Sequence, residues 1–168
     1  MAEDHGTPIV KLELKRVDLQ EWVKIDEMLG LAPLFAAMGP ASTSLLLPKA
    51  STRRFQPDEP VFQEGTPGNS LFMILRGEVT LGRGKGDKAV EICTARKSDF
   101  FGEGEVLGPE VNRSYSATAV GQADLAEFGY ADIYAMCKKH FQVYGLLRET
   151  RDARAKTNDD LNDFLDRW

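Results

Sequence analysis

Cysteine and histidine are scarce in this chain: two of each among 168 residues, Cys93 and Cys137, His5 and His140. Each pair is far apart in sequence. Two distant cysteines do not make a disulfide framework and suit free thiols in a reducing compartment. No zinc-ligand spacing exists, and the scattered histidines exclude the clustered ligands of a metal-binding cupin. Positive charge is not in excess either. The formal net charge is −5, so the global basic footprint of a nucleic-acid binder is missing. The acidic N-terminus has no apolar core and does not read as a signal peptide. Together these absences predict a cytoplasmic protein with neither nucleic acid nor membrane among its partners.

The longest uncharged stretch, Met28 to Pro48, is long enough to prompt a membrane question. Gly30, Pro33, Gly39, Pro40, Ser42, Thr43 and Ser44 interrupt it. It is expected to form two short helices joined at Gly39-Pro40. Catalytic signatures are missing too. There is no nucleophile with a base, no metal cluster and no cofactor fingerprint, so an enzyme is not expected. Gly82-Arg83-Gly84-Lys85-Gly86 suggests a phosphate loop but lacks the Gly-Lys-Ser/Thr ending and a following helix. A basic hairpin tip fits it better.

What remains is an ordinary globular composition, 42% hydrophobic, with the length of one domain. The first 28 residues read as an extension: a polar tail over Met1–Pro8, a short alternating strand over Val10–Lys15, then an amphipathic helix capped by Asp18. Leu19, Trp22, Ile25 and Leu29 share one face of that helix, which either covers the core or docks a partner. From Ser51 to Phe128 the pattern is short strands punctuated by glycine, with Leu71–Leu75 a continuous apolar run expected to be buried on both faces. Tyr130 to Phe141 reads as a helix with Ile133, Met136 and Cys137 inward. A longer helix follows from about Val143, with a polar middle and an apolar end at Leu161, Phe164, Leu165 and Trp168. Its polar middle holds no uninterrupted heptad seam, which argues against a long coiled coil.

The chemistry concentrates between Phe100 and Val120. Gly102 permits a tight turn, and Glu103 follows at the start of a short helical turn, whose first N–H groups are unpaired and favour anions. Arg113 and Ser114 come eleven residues after Gly102, ahead of a strand of small and β-branched residues. Amides, a guanidinium and a hydroxyl suit a phosphate, and the Glu103 carboxylate suits sugar hydroxyls. Glu103 and Arg113 would otherwise be a structural ion pair beside a turn.

Phe101-Gly102-Glu103, Arg113-Ser114 and Ala117-Thr118-Ala119 resemble the phosphate-binding cassette of cyclic-nucleotide-binding domains, as in catabolite activator proteins and cAMP-dependent protein kinase regulatory subunits. The resemblance runs from about Leu29 to the C-terminus, making residues 29–168 the domain. It implies an α+β, mainly β fold: an eight-stranded antiparallel, jelly-roll-like β-roll flanked by N- and C-terminal helices. It also implies cAMP or cGMP as ligand, with Glu103 on the ribose 2′-hydroxyl and Arg113 and Ser114 on the cyclic phosphate. Gly102, Glu105 and Tyr115 complete the expected cassette contacts. By gap-free counting, Ile92 and Cys93 fall where the family's strand passes the base, and Arg154 and Asn158 where its last helix approaches the nucleotide. Two positions depart from the pattern: Gly104 stands where a bulky apolar residue is usual, and Glu105 where a small one is. Glu105 is expected either to turn out of the pocket or to weaken binding. In the activator proteins the last helix leads to a DNA-binding domain; here no such domain is expected after Trp168. The implied function is a stand-alone regulatory sensor for a cyclic mononucleotide, signalling to a protein partner, or self-associating, through its terminal segments. The alternative is an interaction or scaffold module that has kept the fold and lost the ligand.

Overall fold

Residues 7–8, 32–84, 87, 89–107 and 111–166 are described by a computed structural model, residues 7–8 and 157–166 as backbone only. The alternating strand over Val10–Lys15 and the helix after Asp18 lie outside the described residues. The boundary at residues 28–29 falls there too.

Thr7–Pro8 form a short strand, β1, antiparallel to β2 and opposite Arg54 and Arg53. By composition both residues belong to the polar tail over Met1–Pro8. Two residues carry no periodicity, and only the exposed edge of β2 defines them as a strand.

The uncharged stretch folds as α1 (Pro33–Leu46), with non-helical backbone at Gly39 (φ 80, ψ 168). It is thus two short helices meeting at Gly39-Pro40. Strands β2 (Ser51–Phe55), β3 (Pro60–Phe62), β4 (Ser70–Arg76), β5 (Val79–Arg83), β6 (Val90–Ala95), β7 (Phe100–Phe101), β8 (Ser116–Ala119) and β9 (Ala123–Gly129) follow. Then come α2 (Tyr130–Lys139) and α3 (Phe141–Asp166). The eight strands from Ser51 onward form the antiparallel roll that the sequence implies. One sheet has the order β1-β2-β9-β4-β7 and the other β3-β8-β5-β6.

The apolar run in β4 explains the layering. Phe72 and Ile74 face the interior of the roll, where they meet Phe62, Phe101 and Leu125. Leu71, Met73 and Leu75 face the other way, onto Leu34, Phe128, Ile133 and Val143 beneath the helices. Both faces are buried, so the strand needs no polar alternation. Ile133, Met136 and Cys137 turn inward from α2, as the periodicity predicts. Gly82 and Arg83 end β5, which pairs antiparallel with β6; Lys85 and Gly86 lie outside the described residues.

Between Leu81 and Gly82 the β5–β6 register slips: Leu81 faces Cys93, but Gly82 faces Glu91. Ile92 is the extra residue. The bulge lets two consecutive side chains, Ile92 and Cys93, pack against the interior cluster.

Candidate functional site

Strand β7 enters the cassette, pinned to β4 through Phe72–Phe101 and Met73–Phe100 pairing. The chain then turns at Gly102, whose φ is +83. A Cβ there would come within 2.8 Å of Arg113 Nη1, so both the turn and the space require glycine. Glu103 precedes a single 3-10 turn, Gly104–Val106. Arg113 is fixed by its backbone: its N–H donates to the Thr66 carbonyl at 2.7 Å, and its carbonyl accepts from Gly65 at 2.8 Å.

The Arg113 side chain points inward, and the residue is 2% exposed. Nη1 donates to the Ser70 carbonyl (2.8 Å), the Tyr130 hydroxyl (2.9 Å) and the Gly102 carbonyl (3.3 Å), and lies 3.5 Å from Glu105 Oε2. Nη2 reaches Ser70 Oγ at 3.4 Å. The guanidinium lies over the Phe62 ring, 4.1 Å from its centroid. Gly68 makes room for it, since a Cβ there would sit 2.3 Å from Nε. Nε is buried and has no partner among the described residues.

Glu105 does not turn away. It is 7% exposed. Its Oε1 accepts the Ser114 N–H at 3.1 Å, and its Oε2 accepts the Tyr130 hydroxyl at 2.7 Å beside Arg113. The Tyr130 phenol is equally close to the Gly102 carbonyl, 2.7 Å, and shares its one hydrogen. Burial, reinforced by the Glu105 carboxylate, pushes its pKa well up and keeps it a donor. Of the two expectations for Glu105, the turned-out one does not hold: the carboxylate is held inward by the Ser114 amide and Tyr130, beside Arg113.

Glu103 makes a separate pair. It is 1% exposed and accepts hydrogen bonds from Arg154 of α3 and, at 3.1 Å, from the Tyr115 hydroxyl. Tyr115 in turn accepts the Gly102 N–H at 2.7 Å. Burial raises the Glu103 pKa against the pull of Arg154. Burial works against the charge on Arg154, but Glu103, with Tyr115 and Cys93 nearby, holds its pKa above the ordinary value. Arg154 also donates to the Phe100 carbonyl at 3.0 Å and lies near enough to Cys93 to act on its thiol. Glu103 and Arg113 are therefore not each other's partners: the pairs are Glu103–Arg154 and Glu105–Arg113.

The structure brings Gly102, Glu103, Glu105, Arg113, Ser114, Tyr115, Cys93 and Arg154 into one constellation, with Ile92 beside Cys93 on the bulge. Asn158 lies on α3 beyond Arg154, with its side chain outside the described residues. Sequence reasoning missed Ser70 and Tyr130. Ser70 looks like any strand start and Tyr130 like any helix start. Among the described residues no group of His, Cys, Asp and Glu is placed to hold a metal ion.

Residues 52–140, more than half of the chain, match the family model described as "Cyclic nucleotide-binding domain". The chain belongs to this family. Among curated proteins this cyclic nucleotide-binding domain is 28% identical over 137 residues to a cAMP-dependent protein kinase regulatory subunit of Hypocrea atroviridis, covering 79% of this chain and 27% of that protein. It is 33% identical over 97 residues to a CRP-like cAMP-activated global transcriptional regulator of Mycobacterium tuberculosis, covering 57% and 43%. It thus spans less than half the length of either relative. The crystal structure of the Thermus thermophilus catabolite activator protein superimposes with a TM-score of 0.65 at 27% identity, covering 80% of this chain and 63% of that one. Among the described residues no helix is long and apolar enough to cross a membrane.

Proposed function

We propose that this domain is a regulatory sensor that binds a cyclic mononucleotide, cAMP or cGMP, in the cassette and reports occupancy through α3 to a protein partner. The observation that carries this reading is the bond from Arg154 on α3 to Glu103. Glu103 is the carboxylate positioned for a ribose hydroxyl, and α3 holds it. A sugar that engages Glu103 changes the contacts of Arg154, so the two arrangements of α3 differ in ligand affinity. That difference is what shifts a population. The cAMP-responsive relatives named above support the same ligand class. A second reading, an interaction or scaffold module without a ligand, draws support from the buried Glu105–Arg113 pair.

Isothermal titration with cAMP and cGMP, beside thermal shift, separates the two. A ligand that binds only the folded state raises the melting temperature. Saturable heat with either nucleotide supports the sensor. No heat and no shift with either one gives the interaction module precedence.

A further inference from the structure

We propose that Glu105 is an internal occupant of the cassette's phosphate position, so that an anionic ligand enters only by exchange with its carboxylate. This deepens the sensor reading and rests on it. The donors a phosphate needs are the Arg113 guanidinium and the amide after it. The Ser114 N–H is already given to Glu105 Oε1 at 3.1 Å, and Arg113 Nη1 faces Oε2 at 3.5 Å. Both side chains are buried, at 1% and 3% exposure, and their charges cancel. A phosphate on these donors would occupy the space of the carboxylate and meet its negative charge at contact distance. The two anions exclude each other.

The internal anion fits unevenly, which makes exchange feasible. Its bonds to Ser114 and Tyr130 are short, 3.1 and 2.7 Å. Its approach to Arg113 is longer than the roughly 2.8 Å of a well-formed charge-assisted bond. Arg113 also keeps one buried donor, Nε, without a partner among the described residues. The carboxylate therefore uses only part of what the guanidinium offers. Glu105 also sits on a short 3-10 turn that starts at Gly104. A Cβ at Gly104 would lie 3.6 Å from Ser114 Oγ and 4.0 Å from Arg151 Cγ, so Arg151 of α3 passes over this turn. The Arg151 guanidinium itself is turned to Asp152, which it meets at 3.1 Å. Glu105 then sets the affinity threshold of the site and discriminates against anions that make too few other contacts to displace it.

The test compares wild type, Glu105→Gln and Glu105→Gly, each confirmed as folded by circular dichroism. cAMP is titrated calorimetrically, and sodium sulfate serves as a simple anion in thermal shift. Gln keeps the shape and the Ser114 bond without the charge; Gly empties the position. Expected is cAMP binding at least about tenfold tighter in both variants than in wild type, with millimolar sulfate raising the melting temperature of Glu105→Gly and not of wild type. If Glu105→Gly does not fold, Glu105→Gln carries the cAMP comparison. Equal cAMP affinity in all three overturns the exchange while the sensor reading stands. Weaker binding in both variants also overturns it, since Glu105 would then be a ligand contact. Sulfate stabilisation of Glu105→Gly without any cAMP binding supports the exchange and removes the sensor reading. No response to either probe in folded variants ends both.

Discussion

At the scale of single residues, the cassette is held by two buried ion pairs whose members are not interchangeable. Arg113 ties β4, the Gly102 turn and Tyr130 of α2 together. A residue that served only the phosphate could be replaced by alanine with loss of ligand and no loss of fold. The burial of Arg113 gives it a structural role as well. Removing the guanidinium leaves the Glu105 carboxylate buried without its cation, a change that costs about 3–5 kcal/mol. Arg113→Ala should therefore lower the melting temperature sharply as well as lose ligand, by denaturation monitored through circular dichroism. A variant as stable as wild type would mean that Glu105 finds other solvation at once. The other pair gives a pH signature. Glu103 is raised above its ordinary 4.5 by burial. The folded state then holds its proton more tightly than the unfolded chain does. Its contribution to stability is fully present below 4.5 and is lost as pH rises through the folded value. Glu103→Gln cannot titrate there. From about pH 4 to about pH 7, wild type should lose melting temperature relative to Glu103→Gln. A difference that stays constant over that range contradicts the shift.

At the scale of elements, much was legible because local chemistry agrees with the fold. The Leu71–Leu75 run, the glycine punctuation and the helical spacing of Ile133, Met136 and Cys137 each place an element without reference to any other. So does the break at Gly39-Pro40. Gly39 adopts φ 80, and a Cβ there would meet nothing within 4 Å. Gly39→Ala is thus a test of backbone strain alone, expected to cost about 1–3 kcal/mol in chemical denaturation. A neutral result would show that α1 can straighten. The pairing inside the cassette was not legible. Glu103 and Arg154 are 51 positions apart, Arg113 and Ser70 are 43 apart, and Tyr130 meets Glu105 across 25. Those contacts depend on sheet register and on how α3 lies, which no local pattern encodes. The bulge at Ile92 is of the same kind: the strand is readable, but its extra residue is visible only against β5.

At the scale of the whole molecule, the candidate binding residues come from two parts of the fold: the β-roll supplies the cassette, and α3 supplies Arg154. Among the described residues, Arg154 joins them through Glu103 and the Phe100 carbonyl. In the proposed reading, Arg154 is the side chain that links occupancy of the cassette to the position of α3. Arg154→Ala should break that link. It leaves Glu103 without its cation and costs on the order of 2 kcal/mol, less than a fully buried pair because Arg154 is partly exposed. It should also loosen α3, read as faster amide exchange along the helix. Unchanged exchange in the variant would mean that apolar packing at Val143 and Leu147 alone seats the helix.

The most direct measurement is hydrogen–deuterium exchange of the unmodified protein with and without saturating cAMP or cGMP. If the cassette senses a nucleotide and α3 reports it, protection should change together in two places: residues 100–107, and α3 around Arg154. A nucleotide that alters protection at 100–107 and leaves α3 untouched would contradict the link between site and helix, and no change at either place would contradict the sensor itself.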